Sequence, residues 1–462
     1  MALVESSRRA RDLWRWRRRT TGGRRRQARL AGADGACGRA SGGPPRHGNG
    51  GPQDMASATT DIAKPDIFDT DNHYWEPSDA FTRHRSPKFA DRGVVVREVD
   101  GRMRYFVHDE PHPWIPGPGD VNPRPRPGAL YDYFAGRAPK SDLAHMLTCE
   151  NPADHPEWYN CDARLKVMDE QGLEAMWLFP SQGVCMEGPM QPDIEASIDI
   201  FRAFNRWLDD DWGFAYQNRI FGVPYLTLSD LDSAVRELEW VISRGARIVT
   251  IRSGPVFTPE GMKSPADPMF DPFWARVAEA GLVMTAHAGF DEGYRELEDA
   301  LAHTWGYSSR RRQGTVSSLS FYEPFVDALM HDRRIHDFVF ALIAHGLFER
   351  HPGVRFASIE NGGVWVPSLL HVLQRLHGQN PGMFTKSPVD QFHDNVWVSP
   401  FVEESVAELA RSVPVERILF GSDWPHAEGV AKPRDFLANV ADFSLEDQRK
   451  IMAENARELT FG

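Results

Sequence analysis

The sequence predicts an α/β protein built on a TIM (β/α)8 barrel that is distorted and carries lid insertions after strands 1 and 5. From residue 65 onwards, apolar strand-like segments alternate with helix-like segments, an order typical of a parallel sheet with right-handed crossovers. About eight such units fit into roughly 400 residues, which suits a barrel with insertions. A doubly wound open sheet is the alternative. It is disfavoured because neither nucleotide-binding glycine motif follows the first strand.

Each predicted strand is a short apolar run, and most are preceded by a helix with recognisable ends. Gly172 ends the helix before the second strand, Asp232 caps a helix that Gly245 ends, and Ser444 opens the last helix, which runs through Arg457. The predicted strands lie at 66–71, 174–179, 221–227, 246–252, 282–287, 355–360, 395–400 and 417–423.

Two long insertions interrupt the alternation, at about 74–160 and 288–335. The first contains a predicted β-hairpin over 93–107 that turns at Asp100-Gly101. Loops that follow the strands of a TIM barrel lie on its catalytic face. We therefore expect both insertions to form a lid over a functional site.

Composition excludes several classes of protein. The net charge of −12 combines an Arg-rich segment, residues 1–54, with an acidic remainder, which disfavours nucleic acid as a partner. The longest apolar runs are shorter than eighteen residues, so we predict no membrane span. Four widely spaced cysteines argue against a disulfide scaffold or a zinc ribbon and favour a cytoplasmic location.

The Arg-rich N-terminal segment lacks an apolar period. We predict that residues 1–64 form a disordered extension and that residues 65–462 form the folded domain. A nucleic-acid-binding tail or a transit peptide is the alternative for the extension. Met55 is the expected native start, because the residues after it read as an ordinary N-terminal arm.

Ionisable residues crowd the end of the first predicted strand, in the segment DTDNHYWEP. In an extended strand, Asp69, Asp71 and His73 point the same way. Burying three ionisable groups on one face is costly unless their charge is compensated. A divalent metal ion provides that compensation, and a solvated polar loop is the alternative.

Three further strands end in a residue of the same kind. His287 follows the fifth apolar run, Glu360 the sixth and Asp423 the eighth. In a closed barrel these carboxyl ends converge on one mouth. Imidazoles and carboxylates that converge there form a divalent-metal site of mixed nitrogen and oxygen character, although any one of them alone is more often a hydrogen-bonded strand end.

The motifs at these strand ends resemble those of the amidohydrolase superfamily, and more narrowly its aminocarboxymuconate-semialdehyde decarboxylase-like branch. The resemblance covers about residues 65–462. It rests on D-x-D-x-H at 69–73, TAHAG at 285–289, GVRFASIENGGVWVP at 353–367, RILFGSDWPH at 417–426 and the closing AENARELTFG.

The resemblance implies one catalytic divalent metal ion, zinc or manganese, with Asp71, His73, His287 and Asp423 as its ligands. Asp71 replaces the first His of the family's H-x-H, a departure that fits a harder metal such as Mn²⁺. Glu360 occupies a position that is often a His acting as acid and base. In binuclear members of the superfamily a lysine of the fourth strand bridges the two metals, and the fourth strand here has none, so the resemblance implies a mononuclear site.

Two further residues are candidates for the site. Arg252, at the end of the fourth predicted strand, is placed to clamp a substrate carboxylate, with a surface salt bridge as the alternative. His426, three residues after Asp423, either assists catalysis or orients that carboxylate.

These features predict a metal-dependent, non-oxidative decarboxylase of a small aromatic or unsaturated carboxylic acid. Asp423 would donate or accept the proton, and Glu360 would act as a general acid or base. One alternative is a metal-dependent hydrolase of an ester, lactone or amide. Another is an inactive barrel with a binding role. Relatives are often dimers, so the resemblance is compatible with a homodimer.

Overall fold

Parallel strands dominate the part of the chain that the computed structural model describes. That part comprises residues 66–112, 115, 117–137, 148–191, 193–289, 300, 303–305, 330 and 332–462. All of these residues belong to the unit Arg39–Gly462. The predicted extension 1–64 lies outside the described residues, as does most of the predicted insertion 288–335.

Seven of the predicted strands are regular, and the eighth is an irregular segment, residues 418–424, that isolated bridges join to its neighbours. The seven strands are β1 (Ile67–Tyr74), β2 (Leu173–Pro180), β3 (Ile220–Gly222), β4 (Ile248–Ile251), β5 (Val283–His287), β6 (Arg355–Ile359) and β7 (Val396–Val398).

The parallel pairing runs around all eight segments in chain order. β1, β2 and β3 pair in one group, and β4, β5, β6 and β7 pair in another. A parallel bridge between Tyr225 and Thr250 joins the residues after β3 to β4. The eighth segment is bridged to β7 through Ile418 and to β1 through Trp424. The ring therefore closes, which is the arrangement of a TIM barrel.

All eight segments contribute side chains to one buried apolar cluster, as the inward-facing residues of a barrel do. The C-terminal helix Asn455–Phe461 packs against the same cluster. The cluster comprises Phe68, Ala175, Trp177, Phe179, Phe221, Val223, Ile248, Val283, Ala357, Ile359, Trp397, Leu419, Ala453, Ala456 and Leu459.

A second, larger apolar cluster contains the buried sides of most helices and the other faces of the strands. Among the described residues, none of the helices combines the length and apolar character that a membrane crossing needs. The α-helices are Tyr131–Phe134, Cys161–Gln171, Ile194–Asp211, Leu231–Ser243, Asp271–Glu279, Arg333–Ala344, Leu347–Arg350, Val366–Gln379, Pro388–Asn395, Val406–Leu409, Leu445–Arg449 and Asn455–Phe461, the last two linked by the π-turn Lys450–Glu454.

Three of the five predicted helix ends are as expected and two are shifted. Gly245, with φ 90°, follows the helix Leu231–Ser243 and its cap residue Arg244, whereas the last helical stretch continues past Arg457 to Phe461. Gly172 ends its helix in the left-handed conformation, with φ 72°, and Ser444 caps the last helical stretch. The prediction that Asp232 is a cap is wrong. The cap is Asp230, whose carboxylate accepts a hydrogen bond from Ser233 N at 2.9 Å, so the helix begins two residues earlier.

The predicted hairpin is present as two antiparallel strands, Val94–Val99 and Arg102–Val107. Asp100 and Gly101 have φ of 54° and 75°, as a tight hairpin turn of this kind requires. Short antiparallel pairs also join Arg124–Pro125 to Cys149–Glu150 and Val256–Thr258 to Gly261–Lys263.

The described cysteines are of two kinds. Cys161 and Cys185 are buried and reduced. Cys149 is disulfide-bonded, which departs from the cytoplasmic location that the cysteine spacing favours, since that compartment keeps thiols reduced. One such bond is not the multi-bridge scaffold that the sequence argues against.

Candidate metal and acid–base site

Backbone hydrogen bonds align the end of β1 with the eighth segment. His73 N donates to Trp424 O and Asp423 N donates to Asp71 O, each at 2.8 Å. These bonds hold the side chains of Asp71, His73 and Asp423 at the same end of the barrel. The predicted convergence of these two strand ends is therefore present.

Asp69 has a different role from its neighbours on β1. Its carboxylate accepts hydrogen bonds from Ser422 N at 2.9 Å, Ser422 Oγ at 2.5 Å and Asn72 Nδ2 at 2.8 Å. The register of β1 against β2 shifts between Asp69 and Asn72, which breaks the simple alternation of faces. Burial raises the pKa of Asp69 to about 6. Asp69 thus joins two strands and is not grouped with Asp71 and His73.

Each of the four predicted metal ligands has a donor atom within 3.3 Å of a donor atom of another. His73 Nε2 lies 3.1 Å from Asp71 Oδ1 and 3.3 Å from Asp423 Oδ1. His287 Nε2 lies 3.3 Å from both Asp71 Oδ1 and His73 Nε2. All four residues are buried, with 7% exposure at most.

This donor set fits one divalent ion. Ligand atoms about 2.0–2.2 Å from a shared ion stand roughly 2.8–3.6 Å apart at tetrahedral or octahedral angles. The distances among Asp71, His73 and His287 lie in that range, and Asp423 joins this group through His73, whose Nε2 lies 3.3 Å from its Oδ1. The two imidazole Nε2 atoms also face each other, and a cation between them satisfies both lone pairs. Mixed imidazole and carboxylate donors suit zinc or manganese.

Glu360 and Asp423 both adopt a backbone conformation that non-glycine residues rarely use. Their φ values are 53° and 55°. Such strain persists where the surrounding structure imposes it, and it is concentrated at functional sites. Glu360 Oε2 lies 3.1 Å from His287 Nε2, so the carboxylate after β6 joins the cluster.

The carboxylates of the cluster have shifted pKa values because they are buried and lie close to other charged groups. Burial raises the pKa of Glu360 well above its usual range, and the charge of Asp423 adds to the effect. Burial likewise raises the pKa of Asp423, with Glu428 next in importance. For Asp71, burial also acts upwards, but hydrogen bonds from His287 and His73 hold its pKa below the usual range. A bound divalent cation would relieve this repulsion between carboxylates.

His426 connects Asp423 to a residue that the sequence analysis missed. His426 Nδ1 lies 2.5 Å from Asp423 Oδ1, and its Nε2 lies 2.8 Å from Ser181 Oγ. The His426 ring stacks on His73, with 4.1 Å between centroids. Ser181 is the first residue after β2, so the rule that identified the other strand ends would also have identified it.

Glu428 is a second residue that the sequence analysis missed. It can place a carboxylate oxygen within 4.8 Å of ligand atoms of Glu360, Asp423 and His426. Unlike those residues it is exposed, at the edge of the cluster. Its position two residues after His426 is the signal that could have identified it.

Arg252 lies at the carboxyl end of β4, which is the end of the barrel that carries the cluster. It is beside His287 of β5, because the preceding Ile251 pairs with Ala286. Its Nη1 donates to Pro255 O at 3.0 Å. Its guanidinium lies 3.9 Å from the centroid of the Phe257 ring. The structure therefore places Arg252 with the loop after β4, where it lines a pocket together with Glu187, Leu226, Leu228, Ile251, Gly254, Pro255 and Val256.

Gly421 allows the eighth segment to approach Asp71 closely. A Cβ added at Gly421 would lie 2.5 Å from Asp71 Cβ and 2.8 Å from Ser399 Oγ. We expect Gly421→Ala to displace Asp71, to lower stability by about 1–3 kcal/mol and to weaken metal binding. Urea unfolding and metal titration measure the two effects. The matched control is Gly378→Ala, where an added Cβ meets nothing within 4 Å. Wild-type metal affinity in Gly421→Ala would contradict this account.

Comparisons with known proteins agree with this geometry. The family model described as amidohydrolase matches residues 68–460. A curated relative, the gamma-resorcylate decarboxylase of Rhodococcus jostii (strain RHA1), is 26% identical over 321 residues, which cover 64% of this chain and 86% of the relative.

Solved structures extend the comparison. An amidohydrolase from Mycobacterium avium subsp. paratuberculosis K-10 is 40% identical, has a TM-score of 0.79, and the match covers 86% of this chain and 98% of that one. A 5-carboxyvanillate decarboxylase from Novosphingobium aromaticivorans DSM 12444, solved with bound manganese, is 15% identical with a TM-score of 0.52, over 87% of this chain and 99% of that one. The second match shows a shared fold.

Proposed function

The chain belongs to the amidohydrolase family, and from this premise we propose that it is a metal-dependent carboxy-lyase that removes CO₂ non-oxidatively from a small aromatic carboxylic acid. The observation that carries the proposal is the buried cluster in which Asp71, His73, His287 and Asp423 place their donor atoms 3.1–3.3 Å from a neighbour. The relative from Rhodococcus jostii, a gamma-resorcylate decarboxylase, supports the reaction class.

The four residues of that cluster would hold one divalent ion, zinc or manganese. When bound, the ion supplies a Lewis acid for the substrate oxygens beside the carbon that loses CO₂. A carboxylate at position 71, in place of imidazole, gives the site an additional hard oxygen donor, which favours manganese. Manganese bound to the 5-carboxyvanillate decarboxylase is consistent with that choice.

Proton delivery is the step that this chain's own residues perform. Loss of CO₂ breaks a carbon–carbon bond and leaves its electron pair on the ring carbon, which must then take a proton. Asp423 is placed to provide it, because burial raises its pKa and His426 Nδ1 lies 2.5 Å from its Oδ1. Glu360, whose pKa burial also raises, is the second acid at the site.

Substrate binding is assigned to Arg252 and to the insertions. Arg252 directly follows β4 in the position beside His287, and a guanidinium can pair with a carboxylate in bidentate fashion. The insertion 74–160 meets the loop after Asp423, since Gly128 N donates to His426 O at 3.0 Å and Leu130 N donates to Ala427 O at 2.7 Å. These contacts support a lid role for the first insertion. We propose the same role for the second insertion, 288–335, because it also follows a strand of the barrel.

The test is CO₂ release from the manganese-loaded protein. We expect turnover of an aromatic acid in a panel that includes gamma-resorcylate and 5-carboxyvanillate, with the matching phenol as co-product. A parallel panel of aryl esters and lactones serves as the control. Hydrolysis of that panel without CO₂ release would overturn the proposal in favour of a hydrolase. Failure of both panels with metal bound would favour a binding role.

The remaining assignments are predictions from the sequence. We propose that residues 65–462 form the enzyme domain, which the match to the family model over 68–460 supports. A homodimer is expected from the resemblance, and a cytoplasmic location from the few, widely spaced cysteines, an expectation from which the disulfide-bonded Cys149 departs.

A further inference from the structure

Arg164 carries a buried guanidinium that is bonded to the end of β1. It belongs to the first turn of the helix Cys161–Gln171, and it is 1% exposed. Its Nε donates to Glu157 O and its Nη2 donates to His73 O, each at 2.7 Å. Its Nη1 donates to Asn72 Oδ1. All three nitrogen atoms of this side chain therefore donate hydrogen bonds, and two of the acceptors belong to neighbouring residues of β1.

The charge of Arg164 is costly to bury. Its three hydrogen bonds go to neutral oxygen atoms, two of backbone carbonyls and one of a side-chain amide. Burial lowers the pKa of Arg164 to about 9, so the group stays charged at neutral pH. A buried charge destabilises a fold unless its partners compensate for it, and an apolar side chain of similar volume avoids this penalty. We therefore expect the guanidinium to have a role that an apolar side chain cannot perform.

Arg164 contacts both of the strand ends that meet at the cluster. Besides its bonds to β1, its guanidinium lies 4.4 Å from the centroid of the Trp424 ring in the eighth segment. Trp424 O accepts a hydrogen bond from His73 N, so the N–H and the C=O of His73 are both bonded. Asn72 also donates to Asp69 Oδ2 at 2.8 Å. Arg164 thus holds the end of β1 against the eighth segment.

The two histidine ligands differ in how their rings are held. A histidine that binds a metal usually donates its other ring N–H to an oxygen atom, which orients the ring. His287 Nδ1 lies 2.9 Å from Ala288 O and has such a partner. His73 Nδ1 is buried and has no hydrogen-bond partner within the part of the chain that the structure describes. The orientation of the His73 ring therefore depends more on its backbone and on the rings packed against it.

We propose that Arg164 is a positioning residue for the metal ligand His73. The planar guanidinium binds the carbonyl of His73 and the side chain of Asn72 at the same time, which fixes the backbone from which the His73 imidazole projects. A lysine would not reproduce this, because its charge is a single point and not a rigid fork of nitrogen atoms. The inference rests on the proposed metal site and does not depend on which reaction occurs there.

Zinc affinity of the metal-free protein tests the inference without any turnover. Zinc is chosen because it binds such sites more tightly than manganese, so the affinity stays measurable in weakened variants. We expect Arg164→Met to lower zinc affinity about 10–100-fold, the range seen when a residue that supports a ligand is removed. Arg164→Lys should lower it to a similar degree, and it provides the test if Arg164→Met does not fold. Wild-type affinity in either folded variant would overturn the inference.

Arg219→Met is the matched control. Arg219 also donates to two backbone carbonyls, Glu174 O at 2.9 Å and Leu173 O at 2.8 Å, but these lie at the start of β2, away from the cluster. We expect both methionine variants to unfold at lower urea concentrations than the wild type, and we expect zinc affinity to fall in Arg164→Met alone. An equal fall in the two variants would overturn the inference, because a general loss of stability would then be the cause.

Paired substitutions test whether Arg164 acts through His73. In a His73→Ala background, Arg164→Met should cause little further loss of zinc affinity, because the ligand that it positions is already absent. In a His287→Ala background, the same substitution should again lower the affinity about 10–100-fold. Equal effects in the two backgrounds would overturn a role that acts through His73.

The outcomes separate this inference from the proposals on which it rests. A wild-type protein that binds no zinc would overturn the metal site and this inference together. If the wild type binds zinc and the Arg164 variants bind it as tightly, the inference alone fails. If zinc binding follows the expected pattern but the manganese-loaded wild type releases no CO₂, the proposed reaction fails and the role of Arg164 is supported.

Discussion

Replacing His287 by alanine is expected to lower the affinity for the divalent ion by more than about 100-fold. Removing a residue that only supports a ligand already lowers metal affinity by about 10–100-fold, and removing a ligand itself should cost more. CO₂ release should fall to background along with the affinity. The reason is that His287 Nε2 lies 3.3 Å from both Asp71 Oδ1 and His73 Nε2 and is the donor that the fifth strand contributes. Its loss leaves two donors on β1 and one on the eighth segment.

Elemental analysis of protein purified with and without added manganese measures this effect. Thermal unfolding gives a second readout, because an ion at about 100 times its Kd stabilises the folded state by about 2.7 kcal/mol. We expect manganese to raise the Tm of the wild type and to leave that of His287→Ala nearly unchanged. His345→Ala removes an exposed histidine and should behave as wild type. A His287→Ala variant with wild-type metal affinity would refute the assigned ligand set.

The strand positions were predictable because strands in a closed barrel are short apolar runs bounded by polar residues. The predicted 174–179 and 282–287 correspond to Leu173–Pro180 and Val283–His287. The predicted 417–423 forms no regular strand. Gly421 packs against Asp71, and Asp423 has a positive φ, so the pairing there is reduced to isolated bridges.

Helices were predicted less completely. The helix Ile194–Asp211 has a clear signal, a cap at Asp193 and buried Ile200, Phe204 and Trp207 on one face, yet it lies outside the predicted set. The shift of a cap from Asp232 to Asp230 shows a second limit. Both residues can cap a helix, and only the folded backbone selects between them.

For the candidate site, one rule predicted most of the grouping: the polar residues that end parallel strands meet at one mouth. From the sequence pattern alone this rule groups His73, His287 and Asp423. The separate role of Asp69 was not predictable, because it depends on a register shift in β1 that the sequence pattern does not record. The left-handed backbone of Glu360 was not predictable either, because most non-glycine residues avoid that conformation.

The second large effect is expected at Asp423, where the shape of the side chain can be kept while its chemistry is removed. Asparagine is nearly isosteric with aspartate and tolerates the left-handed conformation that residue 423 adopts, with φ 55°. Its amide offers one oxygen to the ion, but the hydrogens of its NH₂ group are not acidic enough to be transferred to substrate. We expect Asp423→Asn to lower kcat by about 10²–10⁴-fold, the usual contribution of a positioned acid or base.

The measurement must separate proton transfer from metal loss, because Asp423 has both roles in the proposal. At saturating manganese, Asp71, His73 and His287 remain as ligands, so metal content should stay near the wild-type value while CO₂ release collapses. Asp69→Asn is the matched control, since it makes the same change in a buried aspartate that binds Ser422. That control should lower stability by about 1–3 kcal/mol and largely spare kcat. If Asp423→Asn retains full kcat with metal bound, the proton must come from another group, and Glu360 is then the acid to test.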